Sequence, residues 1–262
     1  MRSGKPAAAF TVLLVVSFAT MNAMPSDTLL AAMLQEAVLA LVALVAVGFA
    51  VPDALKRCTQ SVQQRNTVRF AGITLLLTGL VGGAITILTW YFANSGNGAG
   101  FVSAVLPSAV DLMENLLLLL GICLLTGLYE ESFMRVLGIE AFERALDTKR
   151  AILASAALFA LLHVGAPDVS AGQLVLLQTA LKFGQALLFG VTLGALYVRT
   201  RRLWPCAFIH AGFDVLYMTP NVLLTGTMPE TYASGTVGDT VLLAVSVLML
   251  SGIVLKIRKE IA

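Results

Sequence analysis

Only two histidines occur in this chain, His163 and His210, and each stands inside a long apolar run. Asp214 follows His210 by four residues, which puts the two side chains on one face if the run is helical. An earlier apolar run ends in Glu130 and Glu131, with Arg135 four residues beyond the second glutamate. Carboxylates and imidazoles brought together can pass protons to and from a water or a substrate, which is general acid–base chemistry. On a helix Glu131 shares its face with Arg135, whereas Glu130 points about 100° away, free to face a neighbouring helix. Glu130 is therefore the candidate base. Two plainer readings stand beside this one: Glu130, Glu131 and Arg135 as a solvated charge cluster at a helix end, and each histidine as a hydrogen-bond partner for a neighbouring helix.

The elements that would have to position these groups follow from composition. Of 262 residues, 58% are hydrophobic and 12% charged, with a mean hydropathy of +0.88 and a formal net charge of +2. A soluble chain carries roughly twice that share of charge, and this apolar surface exceeds what one soluble core can bury. The pattern excludes a disordered chain and a nucleic-acid-binding domain. With three cysteines, Cys58 in a basic loop and Cys123 and Cys206 in apolar runs, it also excludes a disulfide scaffold. The expected class is all-α, a polytopic transmembrane helical bundle forming a single membrane domain over residues 1–262.

Eight apolar runs are legible, at Ala7–Met24, Leu29–Val51, Phe70–Phe92, Ala109–Leu128, Ala151–Ala166, Leu174–Val198, Leu203–Leu224 and Val237–Ile257. The first has Arg2 and Lys5 ahead of it and small residues at its end, as a cleavable signal peptide would. Its length and the second run close behind favour a retained helix. Charge supports the count independently. If eight helices alternate across the membrane, sixteen of the seventeen Lys and Arg residues fall on one side, while the opposite connections hold Asp27, Asp168 and Glu230. The positive-inside rule then places both termini in the cytoplasm. The expected location is an integral membrane protein, in the plasma (inner) membrane if the source is bacterial, with the lipid bilayer as its surroundings.

An ionisable side chain at the centre of a membrane helix costs about 2.5–3.5 kcal/mol on insertion scales. Each one inside a run therefore asks for a reason: Glu36, Asp111, Glu114, Glu130, Glu131, His163, Lys182, His210 and Asp214. Ser108, three residues ahead of Asp111, offers an N-terminal cap. Gly96, Gly98 and Gly100 suggest a flexible outer loop. Between Glu131 and Arg150, apolar residues from Phe133 to Leu146 recur at helical spacing, as in an amphipathic helix on the membrane boundary. Counted along ideal helices, His163, His210 and Asp214 lie roughly 10–18 Å into their runs. They can meet Glu130 only if the end of its helix is drawn inward.

Three strings now stand in order on successive runs: EESFMR at Glu130–Arg135, FALLH at Phe159–His163 and HAGFD at His210–Asp214. They resemble the EExxxR, FxxxH and HxxxN/D motifs of the CPBP or Abi family of intramembrane proteases, which includes CAAX prenyl endopeptidases and bacteriocin-processing relatives. The likeness covers roughly Leu116–Leu216, a catalytic core over residues 116–216. It implies an endopeptidase acting on a membrane-associated peptide or protein in a cavity open to the cytoplasm. Carried over by position, it makes Glu130 the base that activates water, His163 the residue that holds the water, and His210 with Asp214 the pair that stabilises the oxyanion. Glu131, Arg135 and Phe159 would support them. An ionised Asp214 cannot donate to an oxyanion, and its alternatives are to orient His210, to be protonated or to ligate a metal.

Two histidines and a glutamate also form a zinc ligand set of the thermolysin type, so zinc held by Glu130, His163 and His210 is the alternative to a cofactor-free glutamate mechanism. The absence of HExxH spacing, and of a second carboxylate to act as base, favours the glutamate. A different class of function is a transporter or proton relay using Lys182, Asp111, Glu114 and the histidines. Gln178, Lys182 and Gln185 share one helical face, and the plain reading of Lys182 is an interhelical ion pair with Asp111 or Glu114.

Overall fold

The computed structural model describes residues 4–24, 26–56, 72–73, 76, 79–84, 87–88, 108–164, 170, 172–228 and 233–261. Among these the regular structure is entirely helical. Helix α1 spans Lys5–Ala23 and α2 Leu29–Ala50, followed by a single 3₁₀ turn at Pro52–Leu55. Helix α3 spans Ala109–Glu130 and runs without a break into a π-helical segment, Glu131–Ile139. Helices α4 (Thr148–Val164), α5 (Gln173–Thr200), α6 (Leu203–Thr225) and α7 (Val237–Ile261) complete the described chain.

Local chemistry sets several of these ends. Ser108 and Asp111 close a reciprocal capping box at the start of α3, the cap expected from their spacing. Thr28 caps α2 by accepting from Ala31 N at 3.1 Å, and Gly226 ends α6 in the left-handed region at φ 66°. Arg201 ends α5 at φ 49°, a conformation that a non-glycine residue holds only when its surroundings compensate.

Five helices are long and apolar enough to cross a membrane: α1, α2, the continuous stretch Ala109–Phe142, α5 and Val237–Lys256 of α7. They correspond to the first, second, fourth, sixth and eighth expected runs. The fifth and seventh runs form α4, of 17 residues, and α6. Most of the third run, the loop at 94–100 and Cys58 lie outside the described residues. Large apolar side chains remain exposed along the helices, among them Leu41, Val45, Phe49, Leu117, Leu153 and Leu248, an outer surface suited to lipid rather than water.

Packing is densest between α3 and α6, α4 and α5, α2 and α3, and α5 and α7. Small residues allow the closest approaches. A Cβ placed on Gly127 of α3 would stand 2.6 Å from the Ala207 carbonyl oxygen of α6, so only glycine permits this crossing. Glu130 follows Gly127 by three residues and His210 follows Ala207 by three. The two helices run antiparallel, Gly226 of α6 lying beside Asn115 of α3, and their close approach lets His210 reach Glu130 and Glu131 across the pair. On the other side, Gly190 of α5 lies against Ala156 of α4.

The segment after α3 differs from the amphipathic boundary helix expected of Phe133–Leu146. All nine residues Glu131–Ile139 are buried, Arg135 included. Phe10 of α1 packs against Phe133 and Phe142, with ring centroids 4.7 and 5.9 Å apart, so the first apolar run covers this segment as part of the bundle. The apolar side chains of 133–139 that looked like one wet-sided stripe are enclosed on all sides by α1, α2, α4 and α6. The end of the fourth run is thus drawn inward, as convergence with His163 and His210 demanded.

Candidate active site

Glu130, His163, Lys182, His210 and Asp214 line one cavity of about 170 Å³ between α3, α4, α5 and α6. Each comes from a helix whose other face is fixed by apolar packing. Around His210 the geometry is specific. Its Nδ1 donates to Glu131 Oε1 at 2.8 Å, while its Nε2 lies 3.5 Å from Glu130 Oε2 and 3.3 Å from Asp214 Oδ2. The spacing of four between His210 and Asp214 does place them on one face.

The two glutamates divide as the helix geometry suggested. Glu131 is sealed, its side chain 0% exposed, with Oε2 lying 3.2 Å from Arg135 Nε and Oε1 on His210. Glu130 keeps 21% of its side chain exposed toward the cavity, and its Oε2 has no hydrogen-bond partner among the described residues. A carboxylate that opens onto a water-sized space is what a base acting on water requires.

Phe159 organises the opposite wall. Its ring packs 4.2 Å from the His163 ring and carries the Arg135 guanidinium at 4.3 Å, so the buried cation rests on an aromatic face as well as on Glu131. The Phe159 carbonyl oxygen lies 2.9 Å from His163 Nδ1, which turns the other ring nitrogen away from the backbone. Thus the first and second motifs touch through Arg135 and Phe159, and the first and third touch through Glu131 and His210.

The polar face expected on α5 divides. Gln178 turns to α7, donating to the Thr236 carbonyl oxygen at 2.8 Å, and Gln185 donates to Ser246 Oγ of the same helix at 2.7 Å. Lys182 instead faces the cavity, donating to Gln185 Oε1 at 3.1 Å with its ammonium 5.2 Å from the centre of the Tyr217 ring. The ion pair anticipated for Lys182 with Asp111 or Glu114 is not the arrangement found. Both acids are exposed near the start of α3, and Asp111 accepts from Ser108 there. Nineteen residues of helix, about 28 Å, separate Asp111 from Glu130.

Residues beyond the motifs complete the site. Phe189 meets the His210 ring edge-on at 5.1 Å, and Thr126 and Tyr217 also line the cavity. Their signal was helical spacing: Thr126 precedes Glu130 by four, Phe189 follows Gln185 by four, and Tyr217 follows Asp214 by three. Glu36 of α2 lies in this neighbourhood, close to Thr126 and within electrostatic range of Glu130, Asp214 and His210.

The zinc set of Glu130, His163 and His210 can be tested on the same geometry. Among the described residues no three His, Cys, Asp or Glu side chains are grouped to hold a metal ion. The His210 nitrogens face Glu131 on one side and Glu130 with Asp214 on the other.

Residues 112–216 match the family model described as type II CAAX prenyl endopeptidase Rce1-like. The match bears out the resemblance to the CPBP family. It covers the three motifs, α3 from its second turn, the π-helical segment, α4, α5 and the first half of α6, and leaves α1, α2 and α7 outside. No curated protein matches the chain. A protease embedded among apolar helices is what the CPBP likeness supports for this molecule.

Proposed function

We propose that this chain is an intramembrane endopeptidase that hydrolyses a peptide bond of a membrane-associated protein or peptide, with Glu130 as general base and without a metal. The observation that supports this reading is the meeting of Glu130, His163 and His210, from three helices, around one cavity of about 170 Å³.

Glu130 takes a proton from a water held by the free ring nitrogen of His163. The water oxygen bonds to the scissile carbonyl carbon, and the carbonyl π pair moves onto its oxygen. When the tetrahedral species collapses, the C–N bond breaks and the proton on Glu130 passes to the departing amine. Glu131 and Arg135 hold the far side of His210, and Asp214 orients its other nitrogen. An ionised Asp214 acts here as an acceptor and not as an oxyanion donor.

The chain has eight spans with both termini in the cytoplasm, as the placement of Lys and Arg supports, and the cavity opens to that side in the plasma or inner membrane. α1 packs through Phe10 on the segment that carries Glu131 and Arg135. Prenylated sequences ending in Cys-aliphatic-aliphatic-X, the class named by the matched family, are the first substrates to test. A transport reading needs a relay from Lys182 to Asp111 and Glu114, and these lie at the far end of α3.

The test is cleavage of an internally quenched farnesylated peptide of that class by the purified protein in proteoliposomes, paired with a comparison of peptide termini in membrane fractions with and without the protein. We expect new termini that depend on the protein and persist after exhaustive chelation. An uncleaved peptide together with an unchanged set of termini contradicts the peptidase reading. Loss of activity on chelation, restored by zinc, contradicts its metal-free form.

A further inference from the structure

The π register of Glu131–Ile139 asks for a local cause. A π-helix is rare and normally one turn long, yet this one runs for nine residues between α-helical bonds, Glu131 N–H on the Gly127 carbonyl oxygen and Glu140 N–H on that of Val136. The cause lies on α4. Ser155, 1% exposed, donates its hydroxyl to the Met134 carbonyl oxygen at 2.5 Å. In an α-helix that oxygen would accept the N–H of Gly138, four residues on. Gly138 leaves the hydroxyl its room, since a Cβ there would stand 3.6 Å from Ser155 Oγ and 3.3 Å from both the Phe133 carbonyl oxygen and the Phe10 ring. A side chain that enters the ladder at this step holds the turn open.

We infer that Ser155 is a positioning residue of the proposed hydrolysis: its hydroxyl, inserted between Met134 and Gly138, keeps Glu131–Ile139 in the wide register that directs Glu131 and Arg135 into the site. The inference rests on the peptidase reading above. Ser155 itself touches no group assigned to the reaction. It acts through the segment, whose direction decides two contacts, Glu131 Oε1 at 2.8 Å from His210 Nδ1 and the Arg135 guanidinium 4.3 Å from the centre of the Phe159 ring.

Spacing on α4 makes the link specific. Ser155, Phe159 and His163 succeed one another at intervals of four, hence on one helical face. The first takes the Met134 carbonyl, the second carries Arg135 and the third lines the cavity. Both ends of the segment are held elsewhere, by the Gly127–Ala207 crossing before it and by Arg201 on Glu140 and Glu143 after it. Closing the turn to the α register therefore rotates Glu131 and Arg135, because each residue of an α-helix advances about 100° and each residue of a wider turn less.

The experiment measures kcat and KM of purified Ser155→Ala in proteoliposomes on the farnesylated peptide, beside wild type, Glu130→Gln and Thr192→Val. Thr192 is 0% exposed and its hydroxyl bonds the Leu188 carbonyl oxygen within α5, so its variant shows what loss of a buried hydroxyl does by itself. For Ser155→Ala a fall in kcat of about 10–10²-fold is expected, with KM changed by less than about twofold and the kcat of Thr192→Val near that of wild type. Gly138→Ala fills the gap from the other side; it is expected to act as Ser155→Ala does, and it decides the matter if that variant does not fold. The register is read without activity from the Met134 amide, which a π turn bonds five residues back and an α turn four. Phe133–Met134 is the only Phe–Met pair in the sequence, so isotope labelling of the Phe carbonyl carbon and the Met amide nitrogen isolates this peptide group by NMR. Its signal is expected to move in Ser155→Ala and to stay in Thr192→Val. Wild-type kcat in Ser155→Ala, a loss no larger than that of Thr192→Val, or an unmoved Met134 signal overturns the inference. A wild-type protein that leaves the peptide uncleaved, or Glu130→Gln at full activity, counts against the peptidase reading instead, and the Met134 signal still decides the register.

Discussion

The π-helical segment Glu131–Ile139 has a polar cluster at each end, and the two are built differently. At its far end Arg201 reaches Glu140 at 2.6 Å and Glu143 through both guanidinium nitrogens at 2.8 and 2.9 Å, while Tyr197 donates to Glu140 at 3.1 Å and Thr148 to Glu143 at 2.9 Å. Burial works against the charge on Arg201, but the hydrogen bonds and charges of Glu143 and Glu140 outweigh it and hold its pKa above the ordinary arginine range. Such pairing offsets the left-handed backbone of Arg201. At the near end acceptors are shared: three carboxylates crowd His210, Glu130, Glu131 and Arg135 keep polar atoms without a hydrogen bond among the described residues, and a cavity opens beside Glu130. Saturated contacts fix geometry, whereas spare hydrogen-bonding capacity next to a water-sized space is what chemistry needs.

This contrast can be broken from either end. The largest effect is expected from His163→Ala, which removes the group assigned to the attacking water. Activity should fall about 10²–10⁴-fold with the melting temperature in detergent unchanged, and a parallel loss of both would make His163 structural. Next, Glu131→Ala strips the sealed Arg135 of its ion pair. An unpaired buried charge costs about 3–5 kcal/mol, so thermal unfolding should show destabilisation of that order together with loss of activity. The smallest effect belongs to the far cluster. Glu143→Gln weakens one charged partner of a half-exposed arginine and should cost about 1 kcal/mol, with kcat nearly unchanged when measured below the melting transition.

Much of this arrangement was legible before any coordinates, because a bilayer makes charged residues expensive and therefore informative. Glu130, Glu131, His163, His210 and Asp214 were found as exceptions within apolar runs, Arg135 as the partner four residues beyond Glu131, and the spacing of Ser108 and Asp111 foretold a cap that exists. Burial of 131–139 was not legible, since an amphipathic pattern cannot distinguish a helix half in water from one covered by α1 on its polar side as well. The direction of Lys182 was equally hidden. Three residues at helical spacing on α5 read as one face, but a helix that meets α7 on one flank and a cavity on the next splits that face between them. The partner of a membrane cation depends on helix neighbours, and sequence order does not give those.

Glu130 against Glu131 is the centre of the account: adjacent carboxylates, one sealed and one open to the cavity. The most direct test is single-turnover cleavage of the farnesylated peptide by purified Glu130→Gln, whose amide keeps the shape but cannot accept the water proton. The account predicts a cleavage rate at least about 10³-fold below wild type, with wild-type thermal stability and peptide affinity. Cleavage at the wild-type rate would contradict it.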